Sequence, residues 1–355
     1  MLVTRVVERL PPPDPAARRA IEDGPITPDA FRAAFERLDA LHAVEVRDPP
    51  QPPAPPAAAR VAFWNAERLK YPEPSLALLR GIGADALLLC ELDLGMARSG
   101  NRHTIADLAA GLGAGYLFGV EFVELGLGDA RERAWHAGEA NVAGLHGAGI
   151  VSVHRLERPA LVRLETSGRW FDGTFGERRV GGRIAVMAEL RVAGAPVLLV
   201  SAHYESHTGP ADRLAQTRAM LDAIDTHAPD RPVLIGGDFN TSTFELEDKG
   251  RPELVRAALA RDPERLVDPV RHEPMFGLLA ERGYDWAGCN VALAPTQRTR
   301  PDGTPPPPFG KIDWLFARAL RCREPALVPA VDGEGVAISD HEVLTVIIEP
   351  APPRR

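Results

Sequence analysis

Two short segments carry the most chemistry in this chain: Gly236-Gly237-Asp238-Phe239-Asn240 and Ser339-Asp340-His341. Asp238 leaves an apolar run, Val233-Leu234-Ile235, bounded by Pro232 and two glycines, which reads as a buried strand. Ser339-Asp340-His341 leads into a second such run, 342–348. Carboxylates, a carboxamide and an imidazole at the rims of buried strands have rigid supports and can converge on one ligand. Those side chains suit a hard divalent cation and a phosphate group. Asp340 and His341 are adjacent, so a regular strand would send them to opposite faces, and a bend is needed for both to act together.

Three more apolar runs end the same way: 61–64 at Asn65, 86–90 at Glu91 and 197–202 at His203. A fourth, 311–316, holds Asp313 in its interior. Around these strands the spacing predicts helices over 73–83, 103–112 and 210–226, the last with Pro210 in its first turn and Leu214, Leu221 and Ile224 on one face. Further strands are expected at 116–124, 149–154, 160–165 and 184–192. Hairpin-like strand pairs interspersed with helices argue for an α/β protein with two mixed sheets face to face and helices outside. No internal repeat is evident.

The ordered set Asn65, Glu91, His203, Asp238 with Asn240, Asp313, and Asp340 with His341 resembles the endonuclease/exonuclease/phosphatase superfamily over about residues 60–349. That superfamily includes DNase I-like nucleases, abasic-site endonucleases, inositol polyphosphate phosphatases and neutral sphingomyelinases. The resemblance implies a four-layered α-β-β-α sandwich and a hydrolase of phosphate esters that uses Mg2+ or Mn2+. It implies Glu91 as metal ligand, with Asn65 and Asp340 in the same metal-side network. Asp238 would orient or deprotonate the attacking water, and Asn240 would bond the phosphate or hold the geometry. His341 would contact the phosphate with Asp313 fixing its tautomer, and His203 would protonate the leaving group. The family usually has Gln before the Glu, where this chain has Cys90.

Specificity is expected in loops. Residues 169–183 interleave aromatics and glycines with Arg169, Arg178, Arg179 and Arg183, which read either as substrate contacts or as a solvated hairpin. Arg102 is a second candidate for steering a phosphate, and Glu121 is a candidate partner for His203.

The 355 residues carry 41 basic and 49 acidic side chains, a formal charge of −8. Affinity for nucleic acid rests on cations that displace counterions, so this balance favours a small phosphate ester over a duplex, with a nuclease as the alternative and a non-catalytic binding protein as a third reading. The sequence leaves open monoester against diester and the identity of the organic group. Cys90, Cys289 and Cys322 have no paired spacing, the first ten residues lack a signal-peptide pattern and no apolar stretch is long enough to span a bilayer. These features point to a cytoplasmic protein with no membrane or protein partner in view. The expected organisation is an appendage over 1–58, with one helix and a Pro-rich linker at 49–56, then a catalytic domain over 59–350 and a tail at 351–355.

Overall fold

In the computed structural model, which describes residues 1–351, the apolar runs become strands of two mixed sheets, all of them inner except 311–316, which ends one sheet. One sheet has six strands in the order Leu2–Val3, Glu157–Arg163, Ile184–Val192, Ala195–His203, Val233–Asp238 and Asp313–Arg318. The other runs Leu320–Val328, Val343–Pro350, Ala59–Asn65, Ala86–Leu94, Leu145–Ser152, Gly115–Glu124, Val44–Arg47 and Val6–Val7, with Arg179–Gly181 added beside Gly115–Glu124.

Alternation along the strands builds three apolar layers. Phe63, Leu88, Leu199, Leu234 and Leu315 pack between the sheets. Their neighbours Trp64, Leu87 and Leu89 face outward under the helices Pro28–Arg37, Pro72–Ile82 and Thr104–Leu112. Val200, Val233 and Ile235 face the other way, under Pro210–His227 and Met275–Glu281. The result is the expected four-layered α-β-β-α sandwich.

The N-terminal region is not an appendage. Leu2–Val3 pairs with Glu157–Arg163 in one sheet, while Val44–Arg47 pairs antiparallel with Gly115–Glu124 in the other. Phe31, Leu38 and Leu41 are buried in the outer core, so these residues complete both sheets and one helical layer. The sequence reading missed this because the N-terminal strands are only two to four residues long. The Pro-rich stretch 49–56 forms neither helix nor strand, as expected. Of the expected tail, 352–355 lie outside the described residues.

Cys289 and Cys322 are free thiols whose Sγ atoms lie 2.9 Å apart, a meeting that a linear spacing does not reveal. Among the described residues no helix is long and apolar enough to cross a membrane.

Candidate active site

Strand pairing assembles half of the site. Parallel pairing sets His203 opposite Asp238, and antiparallel pairing sets Asp238 opposite Asp313, so the three lie in one row across three strands. Leu315 and Gly236 face the opposing sheet two residues back from Asp313 and Asp238, so the period of two turns the row toward that sheet. Gly236 is required there. A Cβ on it would lie 2.8 Å from Leu88 Cδ1 and 3.0 Å from Phe63 Cβ, and its absence lets the sheets close behind Asp238. Asp313 is the first residue of its strand rather than an interior one, and its N–H donates to Thr296 Oγ1 at 3.1 Å.

Across the mouth, Asn65 ends its strand and Glu91 sits within Ala86–Leu94 instead of ending it. The pairing of that strand with Leu145–Ser152 slips between Leu89 and Leu92, and Glu91 takes a left-handed φ of 52°. This is a bulge. It re-aims Glu91 away from the outer layer that Leu89 and Leu92 occupy, so that its Oε1 accepts a 3.2 Å hydrogen bond from Asn65 Nδ2. The same Nδ2 donates to Asp238 Oδ2 at 3.1 Å, while Asn65 Oδ1 accepts from the Glu67 N–H. Asn65 therefore bridges two carboxylates through its amide nitrogen, while its oxygen, with two lone pairs, keeps one beyond the Glu67 bond for the metal-side role expected of it.

Ser339 makes the bend that the Asp340–His341 pair needs. Its Oγ donates to Asn65 O at 2.9 Å and accepts the His341 N–H at 3.1 Å. His341 Nδ1 then meets both Asp313 oxygens, at 3.0 and 2.8 Å. Burial alone would lower the His341 pKa, but Asp313 outweighs it and holds the imidazolium well above the usual histidine range. Burial and the adjacent Asp313 charge raise the Asp238 carboxyl, only partly offset by the two histidines.

His203 is set by a different network. Its Nδ1 lies 3.1 Å from Glu121 Oε2, the pairing anticipated from sequence. Arg183 Nη1 also lies 3.1 Å from that nitrogen, and one ring nitrogen cannot both donate to Glu121 and accept from Arg183. Donation to Glu121 wins, because Arg183 is already held by Glu121 Oε1 at 2.9 Å and Glu205 Oε2 at 3.2 Å. Despite burial, His203 and Arg183 keep the Glu121 carboxyl down to about 2.

The remaining arginine candidates stand elsewhere. Arg102 donates to the Ser99 and Leu69 carbonyls, and Arg178 to those of Phe171 and Gly24 while stacking on Phe171. Arg179 is buried against Glu124 and the Trp170 ring. Of the three, Arg178 braces the N-terminal region, through the carbonyls of Gly24 and Pro25. Asn240 Nδ2 donates to the Tyr204 carbonyl at 3.0 Å and so holds the turn.

Sequence reading missed the arginines at the site. Glu67, Arg68 and Leu69 are three consecutive residues with left-handed φ of 42°, 68° and 51°. The turn sets Arg68 3.5 Å from Glu91, and Arg300 reaches to 3.8 Å from Asp340 and 2.7 Å from Glu67. Arg68 follows so closely on the strand-end Asn65 that its position offered a signal, whereas Arg300 lies in an irregular Pro-rich loop that offered none.

Two places suit a divalent cation differently. Ligand atoms of Asp238, Asp313 and His341 lie within 4.8 Å of one another, but Asp313 is already committed to a cationic imidazole. Glu91 and Asp340 fit better. Burial raises the Asp340 carboxyl, and Glu67 and Glu91 add to the shift, which marks a crowd of carboxylates that a cation would relieve.

Comparison with known proteins agrees with this architecture. A family model described as "Endonuclease/Exonuclease/phosphatase family" matches residues 62–341. No curated protein matches the chain. Among solved structures, an endonuclease/exonuclease/phosphatase from Beutenbergia cavernae superposes with a TM-score of 0.54 at 19% identity, covering 83% of this chain and 72% of that one. One from Bacteroides vulgatus gives 0.51 at 16%, covering 82% and 99%. A functionally unknown conserved protein from Enterococcus faecalis gives 0.52 at 13%, covering 82% and 99%. The chain belongs to the endonuclease/exonuclease/phosphatase family, whose members are in general hydrolytic phosphoesterases.

Proposed function

We propose that the protein is a metal-dependent hydrolase of phosphate esters that acts by water attack on a small phosphorylated compound in the cytoplasm. The observation that carries this reading is the convergence on Asp238: the Nε2 atoms of His203 and His341 each lie 3.9 Å from the same Oδ2. A carboxylate between two imidazoles, one of them held cationic, is arranged to handle a proton and an anion together.

Asp238 is the base. Its raised pKa gives it more proton affinity than an exposed aspartate, and its Oδ1 is anchored by the Asn240 N–H at 3.0 Å. His341, kept protonated by Asp313, donates from Nε2 to a phosphoryl oxygen where charge builds up. His203, its Nδ1–H donated to Glu121, acts as the acid in its doubly protonated form and gives its Nε2 proton to the departing oxygen. Glu91 and Asp340 would hold the Mg2+ or Mn2+ ion, which supplies positive charge to the phosphoryl oxygens when bound.

The charge of −8 favours a small ester over a polynucleotide. The three thiols, Cys90, Cys289 and Cys322, suit a reducing compartment. A hydrolysis panel with Mg2+ or Mn2+ tests the reading, using phosphomonoesters, bis-aryl diesters, nucleotides, inositol phosphates and single- and double-stranded DNA. Turnover of small esters that is lost on chelation is expected. Preference for DNA would replace the substrate class, and no turnover of any ester would sink the activity.

A further inference from the structure

A cavity of about 340 Å³ opens beside the metal side of the site, and its walls set Arg68, Arg131 and Arg300 among four carboxylates, with the rings of Tyr71 and Trp135 beside them. It is continuous with the site through two side chains, since Arg68 also faces Glu91 and Arg300 also faces Asp340. The volume suits a small organic group and not a helix or a duplex.

Three features of the walls describe an occupant. The first is unspent donor capacity. Arg68 is held only by contacts of 3.5 Å to Glu91 and 3.9 Å to Glu132, and its buried Nε has no hydrogen-bond partner. A buried guanidinium N–H left unpaired is costly, and an anion beside it would remove that cost. The second is a backbone held in an unfavourable form to present that guanidinium, in the left-handed run Glu67, Arg68 and Leu69. The third is an exposed aromatic surface. Trp135 is 62% exposed and Tyr71 44%, on a wall where Arg131 stands 5.9 Å over the Trp135 ring. Arg131 itself is half-exposed, hydrogen-bonded to Asp129 at 3.2 Å and 3.6 Å from Asp302. An indole in water beside cations offers a stacking face for a flat ring.

We propose that this cavity seats the part of the substrate beyond the scissile phosphate: a second phosphate on Arg68, Arg131 and Arg300, and a planar ring on Trp135. The substrate class is a small compound with at least two phosphates and a flat heterocycle. This rests on the phosphoesterase reading for the identity of the reacting group, but the cavity's binding role stands on its own geometry.

The test pairs two probes that differ by one phosphate, ADP and AMP, in two measurements on the full chain. Isothermal titration in Mg2+ should show ADP binding at least tenfold tighter than AMP, and Arg131→Ala and Trp135→Ala should each shrink that ratio at least threefold. If the esters are turned over, the ratio of kcat/KM values for the same pair should move in parallel. Equal affinity for ADP and AMP in the wild type, or a ratio that neither variant changes, overturns the proposal. Both positions are exposed enough that the variants should fold, which circular dichroism checks. Tight, variant-sensitive ADP binding with no hydrolysis of any phosphate ester would reject the phosphoesterase reading and leave the cavity assignment intact. Hydrolysis without discrimination between ADP and AMP would do the reverse.

Discussion

The histidine side and the arginine side of this site are built on opposite plans. His341, Asp313, Asp238, His203 and Glu121 all sit on strands or at their first and last turns, and their mutual bonds are short, 2.8 Å from His341 to Asp313 and 3.1 Å from His203 to Glu121. Arg68, Glu67, Asp340 and Arg300 come from loops, and although Arg300 lies 2.7 Å from Glu67, the contacts of Arg68 with Glu91 and of Arg300 with Asp340 are long, 3.5 and 3.8 Å. A satisfied network in a low-dielectric interior is rigid and holds its charge state, whereas long contacts leave groups ready to exchange partners. The contrast assigns fixed proton chemistry to one side and exchangeable ligands, cation and substrate, to the other. Asn65 joins them, because its one amide nitrogen reaches both Glu91 and Asp238.

The largest effects are expected from breaking the fixed side. His341→Ala should cost about 10²–10³-fold in kcat, since it removes a preorganised donor aimed at developing charge. Asp313→Ala should cost nearly as much while leaving Mg2+ affinity close to wild type, and an unchanged rate would make Asp313 a core residue only. The pair also predicts a pH dependence of stability. Because His341 has a folded pKa above its unfolded value near 6.5, its contribution is full below about pH 6.5 and is lost as pH rises through the folded value. Thermal melts of wild type and Asp313→Ala should therefore differ most at pH 6 and converge at alkaline pH.

On the exchangeable side, Glu91→Ala should act through the cation. Loss of a metal ligand should exceed the ~10–100-fold that loss of an outer partner costs, and excess Mg2+ should recover part of the rate. Full activity of the chelated wild type would refute the assignment. His203→Ala returns to the fixed side and should be substrate-selective. It should slow alkyl esters, whose leaving oxygen needs a proton, far more than activated aryl esters, while His341→Ala slows both alike. Equal alkyl-to-aryl ratios in the two variants would remove the acid role from His203.

The two sides also differed in how far the sequence disclosed them. Each strand-borne residue follows or opens an apolar run, so its place at a sheet rim was readable from the pattern around Val233-Leu234-Ile235 or Val197 to Ala202. The sandwich itself was legible for the same reason. What escaped depends on events that leave no periodic trace. The bulge that turns Glu91 inward is a register slip against another strand, and the short N-terminal strands gain their stability from partners distant in sequence, as Leu2 does opposite Val162. Arg183 was noticed as a cation in a loop, but its work in pinning Glu121 and Glu205 required knowing which strands meet. The substrate roles suggested for Arg102 and Arg178 failed because a donor-rich side chain in a loop finds backbone carbonyls as readily as ligands.

The smallest expected effect concerns the turn that presents Arg68, and a pair of substitutions isolates it. Arg68→Ala and Arg68→Gly both remove the guanidinium, so both leave Glu91 without its cationic neighbour and should impair activity equally. They differ in backbone cost. An L residue held at φ 68° carries a Cβ that crowds the following carbonyl, at roughly 1–2 kcal/mol, while glycine adopts that conformation freely. Glycine's larger unfolded-state entropy offsets part of the gain, leaving Arg68→Gly more stable than Arg68→Ala by about 0.5–1 kcal/mol in urea unfolding. Equal midpoints would mean that the turn relaxes once the side chain is gone, and that the left-handed backbone is held by the contacts of Arg68 itself. A more stable alanine variant would show that the turn carries no strain, and the arginine side would then be loose in its contacts but not in its backbone.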